Sequence, residues 1–389
     1  MIWRCEMKSY TGSSCLENAY KAGIEAAQNT KAKDAKLAFV YASCDYDLKK
    51  LLKGVKEVLD CPVIGNTSFT GVVMPEGYVG GDKPFVGVMV LGGDNLEVGI
   101  GFAARNKYKT ARAAGAAAAK QAVIDETVPN AIYMAASPTE EEFFLKGIHD
   151  EIGRVPVFGG SCADNTISGN WSLFADNSIT AEGVAVAFLY TTANFANVFT
   201  GAYRETADRG IITKISGNRC LVEIDGVPAV KQYAKWRKMK VKKLKGNLLL
   251  SETITSPLGV KDRLGDLIAI RHPMFANDDN SMNIGANLAE GTAVIRMEAT
   301  VDELISSVEE NITKLNQNLK GKPVFYHLVH CGGRRAGIAD RIEEVYQGAL
   351  NATNGVPFIM EFTFGEYGYE EDGRNTTGGL MLSFTAFTK

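Results

Sequence analysis

The chain has 389 residues, 46% of them hydrophobic and 22% charged, the balance of a globular protein too long for one ordinary core. A net charge of −3 excludes a general attraction to nucleic acid or anionic lipid, and no run of about 18 apolar residues is present to span a bilayer as a helix. Seven cysteines without a CxxC pair argue against a disulfide framework or a zinc site; the opening MIWRCEMKSYTG lacks a signal-peptide core, so a cytoplasmic location is expected.

In chain order, the first predicted unit is LAFVYASCDYDLKKLLKGVKEVLDCPVIGNTS, starting at Leu37. It reads as strand, polar turn, amphipathic helix, then a Pro-initiated buried strand. A second copy, AIYMAASPTEEEFFLKGIHDEIGRVPVFGGSC, starts at Ala131; Ser43 and Ser137, like Pro62 and Pro156, stand 94 residues apart. Here Ser137-Pro138-Thr139-Glu140 predicts a capping box with proline at the first helical position. The alanine-rich KTARAAGAAAAKQAV between them predicts a helix packed closely through small residues. A domain boundary is expected near Asp208, giving domains 1–208 and 209–389.

Beyond it, CLVEIDGVPAVKQYAKWRKM predicts a strand, an Asp-Gly turn and a helix. GDLIAIRHP and GTAVIRMEA predict strands flanking a polar loop, MFANDDNSMNIGANLAE, and Val301 to Leu319 an amphipathic helix. Eight basic residues and no acid lie between Lys231 and Lys245, a pattern that fits a solvated helix face better than a site for nucleic acid or an acidic partner. The third unit, VFYHLVHCGGRRAGIADRIEEVYQGAL followed by VPFIMEFTFGE, spaces Cys331 and Pro357 by 26 residues, against 19 from Ser43 to Pro62. Seven extra residues are about two helical turns. The fold class expected is α/β: repeated strand–helix–strand units forming mixed, partly parallel sheets flanked by helices, in two domains.

The Cys331-Gly332-Gly333-Arg334-Arg335 stretch sits between a strand and a helix, where free backbone N–H groups favour anions. It lacks the Walker and GxGxxG patterns, which argues against a nucleotide loop. His330 beside Cys331 points to the opposite face of a strand, so the two form no catalytic dyad. His327 and His330 fall on opposite faces by the same rule. His149 and His272 are lone histidines. No metal and no resident cofactor is expected.

Several motifs converge on a known family. Gly65-Asn66-Thr67-Ser68, Glu223-Ile224-Asp225-Gly226-Val227-Pro228-Ala229, Cys331-Gly332-Gly333-Arg334 and Phe364-Gly365-Glu366 resemble the FIST proteins, over about Ser9 to Phe387. The family is a sensory module of prokaryotic signal transduction with amino- and carboxy-terminal halves. The resemblance implies a non-catalytic protein that binds a small ligand, amino acids being the leading suggestion, and signals to a separate protein. Some members bind haem, so a haem-binding gas or redox sensor is the alternative, alongside an enzyme using a loop cysteine. Many members carry a cysteine where Asn66 stands, which removes cysteine chemistry from that loop here.

In open α/β sheets ligands settle outside the carboxyl ends of strands. The expected binding set is therefore Asn66, Thr67 and Ser68; Ser161, Cys162, Asp164 and Asn165; and Cys331, Arg334, Arg335 and Glu366. An arginine fork would hold a ligand carboxylate, and Glu366 or Asp164 an ammonium. Arg334 or Arg335 would then share a pocket with Glu366 or the Asn66–Ser68 loop. The expected partners are a small molecule and a separate signalling protein, with neither nucleic acid nor membrane.

Overall fold

Pro62, Pro156 and Pro357 each precede a strand running parallel to the one before the intervening helix. Val63–Thr67 lies beside Ala35–Ala42, Val157–Ser161 beside Ala131–Ala136, and Phe358–Thr363 beside Pro323–Cys331. The first ladder bond is the same in each: the proline carbonyl accepts from Ala38 N–H (2.9 Å), Ile132 N–H (2.9 Å) and Tyr326 N–H (3.0 Å). These pairings come from a computed structural model, which describes residues 6–261, 268–369 and 375–389. The class is α/β with mixed sheets, as expected.

Each unit adds an antiparallel strand on the other side of its first strand: Val86–Gly92, Gly183–Thr191 and Leu382–Thr388. The far edge of each sheet is then closed by a hairpin from another unit. Gly71–Met74 and Gly77–Gly80 of the first unit extend the third sheet. Leu173–Ala175 and Ser178–Thr180 of the second extend the first sheet, and Glu366–Tyr369 and Asn375–Gly378 of the third extend the second. The hairpins are thus exchanged in a cycle, each covering the edge of a buried parallel strand and leaving a short outer strand, Gly77–Gly80, Ser178–Thr180 or Asn375–Gly378, as the new edge.

The inner faces of the three sheets bury one common core that includes Phe39, Tyr133, Phe158, Phe325 and Phe387. A helix pair covers each outer face: Ala19–Thr30 with Leu48–Val58, Ala111–Ala122 with Glu141–Ile152, and Val301–Asn318 with Ile342–Thr353. The alanine helix packs as its composition predicts: a Cβ on Gly101 of the strand beneath would meet Ala118 O at 1.8 Å. Helix Val301–Asn318 opens with a capping box of Thr300 and Glu303.

Strands from Arg204–Ser216 to Ala293–Glu298 form, among the described residues, a fourth, eight-stranded sheet standing apart from the repeating pattern. Its Asp225-Gly226 turn adopts positive φ at both residues, the geometry of a tight hairpin. Asp208, the expected boundary, lies within the strand Arg204–Ser216.

Three local expectations need correction. The second repeat helix starts at Glu141 and has no side-chain cap, because Ser137 is committed to Gly183 and the Glu140 carboxylate to Arg105. The supposed polar loop MFANDDNSMNI is a hairpin, Pro273–Ala276 against Met282–Ile284, whose short strands carry too few residues for a visible alternation. The Cys331 glycines do not form a bare turn; they begin a short helix, Gly332–Ile338, which accounts for the seven extra residues of the third unit. The start of GDLIAIRHP lies outside the described residues, and its described part is the strand Ile268–Arg271. No helix among the described residues is long and apolar enough to cross a membrane.

Candidate functional site between the strand ends and the fourth sheet

The carboxyl ends of the repeat strands deliver Phe69, Phe364 and the Cys331–Gly333 turn to one end of the three-sheet body, with Ile167 and Trp171 on the loop after Val157–Ser161. The fourth sheet covers this end. Two adjoining cavities lie between them, of about 500 and 60 Å³, sharing Ile167, Met274, Gly285 and Phe364. The larger is walled by Trp171, Phe364, Phe275 and Ile284, the smaller by Phe69, Ile254, His272 and Cys331. Trp171 meets Phe364 edge-on at 6.0 Å, and Phe364 lies 5.8 Å from Phe69. A concave, mainly apolar site with few polar groups is what small ligands require.

Two features mark the larger cavity as more than a gap. Thr139 (φ 90°) and Ile167 (φ 57°) both line it in the left-handed region, which β-branched residues avoid. Such strain costs on the order of 1–3 kcal/mol each and collects at binding sites. The second feature is a largely buried ion cluster whose Glu141 and Arg219 line the cavity. Arg219 donates to Glu141 and Glu142 carboxylates, both at 2.6 Å, and to Gly285 O at 3.1 Å. Burial raises the Glu141 pKa and Arg219 opposes that shift. Asn287 N–H donates to Glu142 (3.0 Å), so the first turn of helix Glu141–Ile152 ties the fourth sheet to the body.

Of the expected residues, Cys331 lines the smaller cavity. Its sulfur accepts from Gly333 N–H (3.3 Å) and Leu380 N–H (3.2 Å), and burial pushes its thiol pKa far up. Cys162 is buried and likewise raised, so neither is an activated thiolate. Ser161 lies just behind the wall, donating to Glu141 (3.1 Å) and paired with the Tyr367 hydroxyl (2.6 Å). Glu366 is buried, accepts from Thr363 Oγ1 and Met381 N–H (both 2.9 Å), and is raised by burial to about 8.

The remaining expected residues hold loops and strands together. Asp164 accepts backbone N–H bonds from Thr166, Ser168, Gly169 and Asn170. Asn165 bridges Thr70 N–H and Asp45, Thr67 pairs with Ser172, and Ser68 donates to Gly71 O. Arg334 is fully buried and donates to Gly201 O (2.6 Å), Leu304 O (3.1 Å) and Ser307 Oγ (2.6 Å). Arg335 donates to Ala339 O (2.7 Å) and stacks over Tyr78.

Asn66 belongs to a different cluster, at the centre of the body. Phe39, Tyr133 and His327, one from each unit, bring their rings within 4.9 to 5.3 Å of one another. Tyr41 is hydrogen-bonded to His327 Nε2 and to Tyr133; Tyr133 donates to Asn66 Oδ1 (3.1 Å), and Asn66 Nδ2 to Glu361 (2.9 Å). Burial lowers His327 to about 3 and raises Glu361 to about 8, so both are neutral at pH 7 and their 3.7 Å approach is not an ion pair. His330 faces the other way, against Phe362, as alternation requires.

Sequence reasoning missed Glu141, Arg219 and Glu361. Trp171, an aromatic residue inside the polar loop TISGNWSL, was a readable signal. Arg219 carried none, since its partners are 77 and 78 residues away. No group of three or more His, Cys, Asp or Glu among the described residues could hold a metal ion.

No curated protein sequence matches the chain. Among solved structures, a cyanuric acid hydrolase from A. caulinodans shares 8% identity over 98% of this chain and all of its own, with a TM-score of 0.34. Phosphoribosylformylglycinamidine synthase II from Thermotoga maritima shares 10% over 98% of this chain and 72% of its own, with a TM-score of 0.24. Likenesses this slight carry no argument about activity. The family models are decisive: the FIST N domain matches residues 36–227 and the FIST C domain residues 229–369, a two-domain layout. The chain belongs to the FIST family.

Proposed function

We propose that this chain is a non-catalytic sensor that binds an amino-acid-like ligand in the larger cavity and passes the signal to a separate protein in the cytoplasm. FIST domains are associated with sensing in signal transduction. The observation that carries the ligand reading is the pairing of Glu141 and Arg219 on a mainly apolar wall, backed by Glu142 in a largely buried ion cluster. A zwitterion complements it by exchange: the ligand carboxylate replaces Glu141 on Arg219 Nη2, the freed Glu141 takes the ammonium, and Glu142 keeps Arg219 neutralised. Charge balance is kept throughout the exchange, which limits the desolvation cost. Trp171, Phe364 and Ile284 then receive the ligand's side chain, and Cys331 closes the adjoining small cavity.

Thermal-shift measurements with amino acids, nucleotides and haem test this reading. A ligand at 100 times its Kd adds about 2.7 kcal/mol of stability. An amino acid should raise Tm in the parent and not in Arg219→Gln or Glu141→Gln. A shift with haem or a nucleotide alone would replace this proposal with the corresponding alternative.

A further inference from the structure

Between Lys231 and Lys245 the fourth sheet carries seven lysines, every one of them exposed. Among the described residues none of the seven takes part in an ion pair, although acids outnumber bases in the whole chain by 45 to 42. The lysines are not on a loose tail. Helix Ala229–Trp236 buries Val230, Tyr233 and Ala234, and the following turns are pinned by Met239 N–H to Ala234 O (2.9 Å) and Lys243 N–H to Lys240 O (2.9 Å). Leu244 and Leu249 anchor the segment in the core. Like charges held this close on a fixed backbone repel one another, and an acidic partner relieves that repulsion.

Two exposed apolar side chains adjoin the lysines. Leu248 is 55% exposed and Phe275 39%. Gly246, next to Lys245, pairs with Ala276, and a Cβ on it would lie 3.7 Å from the Phe275 ring. Phe275 also lines the larger cavity, and Leu250, on the short helix that follows the lysines, lines the smaller one. The lysine surface and the ligand cavities are therefore two sides of one short segment.

We infer that the 231–245 surface, with Leu248 and Phe275, is the docking site for an acidic protein segment that also presents an apolar side chain. Nucleic acid fits less well. The one arginine of the stretch, Arg237, donates from Nη1 to the Glu252 carbonyl (2.9 Å) and Tyr233, and its Nη2 faces the Glu252 carboxylate at 3.7 Å, which competes with phosphate for the fork. Trp236 packs against the core rather than offering a stacking face. The inference does not depend on which ligand the cavities take.

The test uses the full chain and four labelled probes read by fluorescence anisotropy: a peptide alternating Glu with Leu, a polyglutamate of equal charge, a single-stranded oligonucleotide, and phosphatidylserine vesicles. The Glu/Leu peptide should bind most tightly, and its affinity should fall as salt rises. The triple variant Lys240→Glu, Lys242→Glu, Lys243→Glu should weaken it at least tenfold, and Leu248→Ser should weaken it severalfold, both with Tm unchanged or raised. Tighter binding of the oligonucleotide or the vesicles, or peptide binding indifferent to the triple variant, would overturn the inference.

Discussion

Arg334 heads the fully buried side chains by size, and its three donated bonds join the strand-end turn to Gly201 and to helix Val301–Asn318. Truncation to alanine leaves Gly201 O without this donor and Leu304 O and Ser307 Oγ with only their mutual bond (2.8 Å) in place of the guanidinium, so Arg334→Ala should lose roughly 3 kcal/mol in denaturant unfolding. Arg334→Lys should rescue little, because an ammonium cannot reproduce the fork. Full retention of stability in the alanine variant would show that the guanidinium is not structural. Four buried carboxyls and imidazoles, Glu361, Glu366, His327 and His272, set the pH dependence of stability. Glu361 and Glu366 are raised from 4.5 to about 8 by burial, so the folded chain holds protons the unfolded chain has lost, and stability falls as pH rises from about 4.5 to 8. His327 and His272 are lowered from 6.5 to about 3 and 4, so their contribution is lost as pH falls below about 6.5. The opposing slopes overlap between pH 4.5 and 6.5, which leaves the carboxyls alone above it. Tm should therefore drop between pH 6.5 and 8, and Glu361→Gln, which keeps an acceptor for Asn66, should gain on the order of 2 kcal/mol at pH 8. A lower Tm for that variant at pH 8 would refute the assignment. Sequence spacing identified the strand-end loops that carry these polar residues. It could not say which side of a loop each side chain faces, and Arg334 and Glu366 turn toward the core.

The helix pairs show how far element-level physics was legible. Strand and helix order followed from periodicity and from the two equal offsets, since both depend on near neighbours in the chain. Interhelical distance did not, because it is set by single glycines. A Cβ on Gly54 would meet Tyr20 O at 2.2 Å and one on Gly23 would meet Leu51 O at 2.2 Å. In the second unit Gly147 meets Arg112 O at 1.9 Å and Gly115 meets Phe144 O at 2.1 Å. In the third, Gly348 faces Glu309 from farther off, with the Glu309 Cβ at 3.2 Å and its backbone N at 3.8 Å. Alanine normally gains about 1 kcal/mol over glycine inside a helix. At Gly54 and Gly147 that gain is overridden by backbone overlap, so either alanine variant should lose about 2 kcal/mol or more. Gly348→Ala should be near neutral, because 3.2 Å asks for a shift of only a few tenths of an ångström where 1.9–2.2 Å asks for far more. Equal losses at all three sites, measured by urea unfolding, would mean that the third pair is as tightly packed as the others.

At the scale of the whole molecule, what the sequence hid is the cyclic exchange of hairpins. Gly71–Met74 and Glu366–Tyr369 are strands of only four residues, too short for a visible alternation, and nothing in them names a partner hundreds of residues away, such as Met360 for Val73 or Gly160 for Glu366. The exchange has a consequence for the two-domain layout. A piece ending at 208 holds two complete strand–helix–strand units, yet its second sheet lacks the closing hairpin Glu366–Tyr369/Asn375–Gly378, and its own hairpin Gly71–Met74/Gly77–Gly80 has no sheet to join. Its strand Phe195–Thr200 also loses its partner, Leu382–Thr388. Each orphaned edge exposes unpaired N–H and C=O groups and the apolar faces beside them, a route to aggregation. Residues 1–208 and 209–389 made separately should therefore show no sharp thermal transition, and should associate when co-expressed into a complex that melts cooperatively near the full chain's Tm. An isolated 1–208 fragment that is monomeric and melts cooperatively at that temperature would show that the exchanged hairpins are decoration, because a unit whose stability resides in its own sheet and helix pair needs no strand from elsewhere.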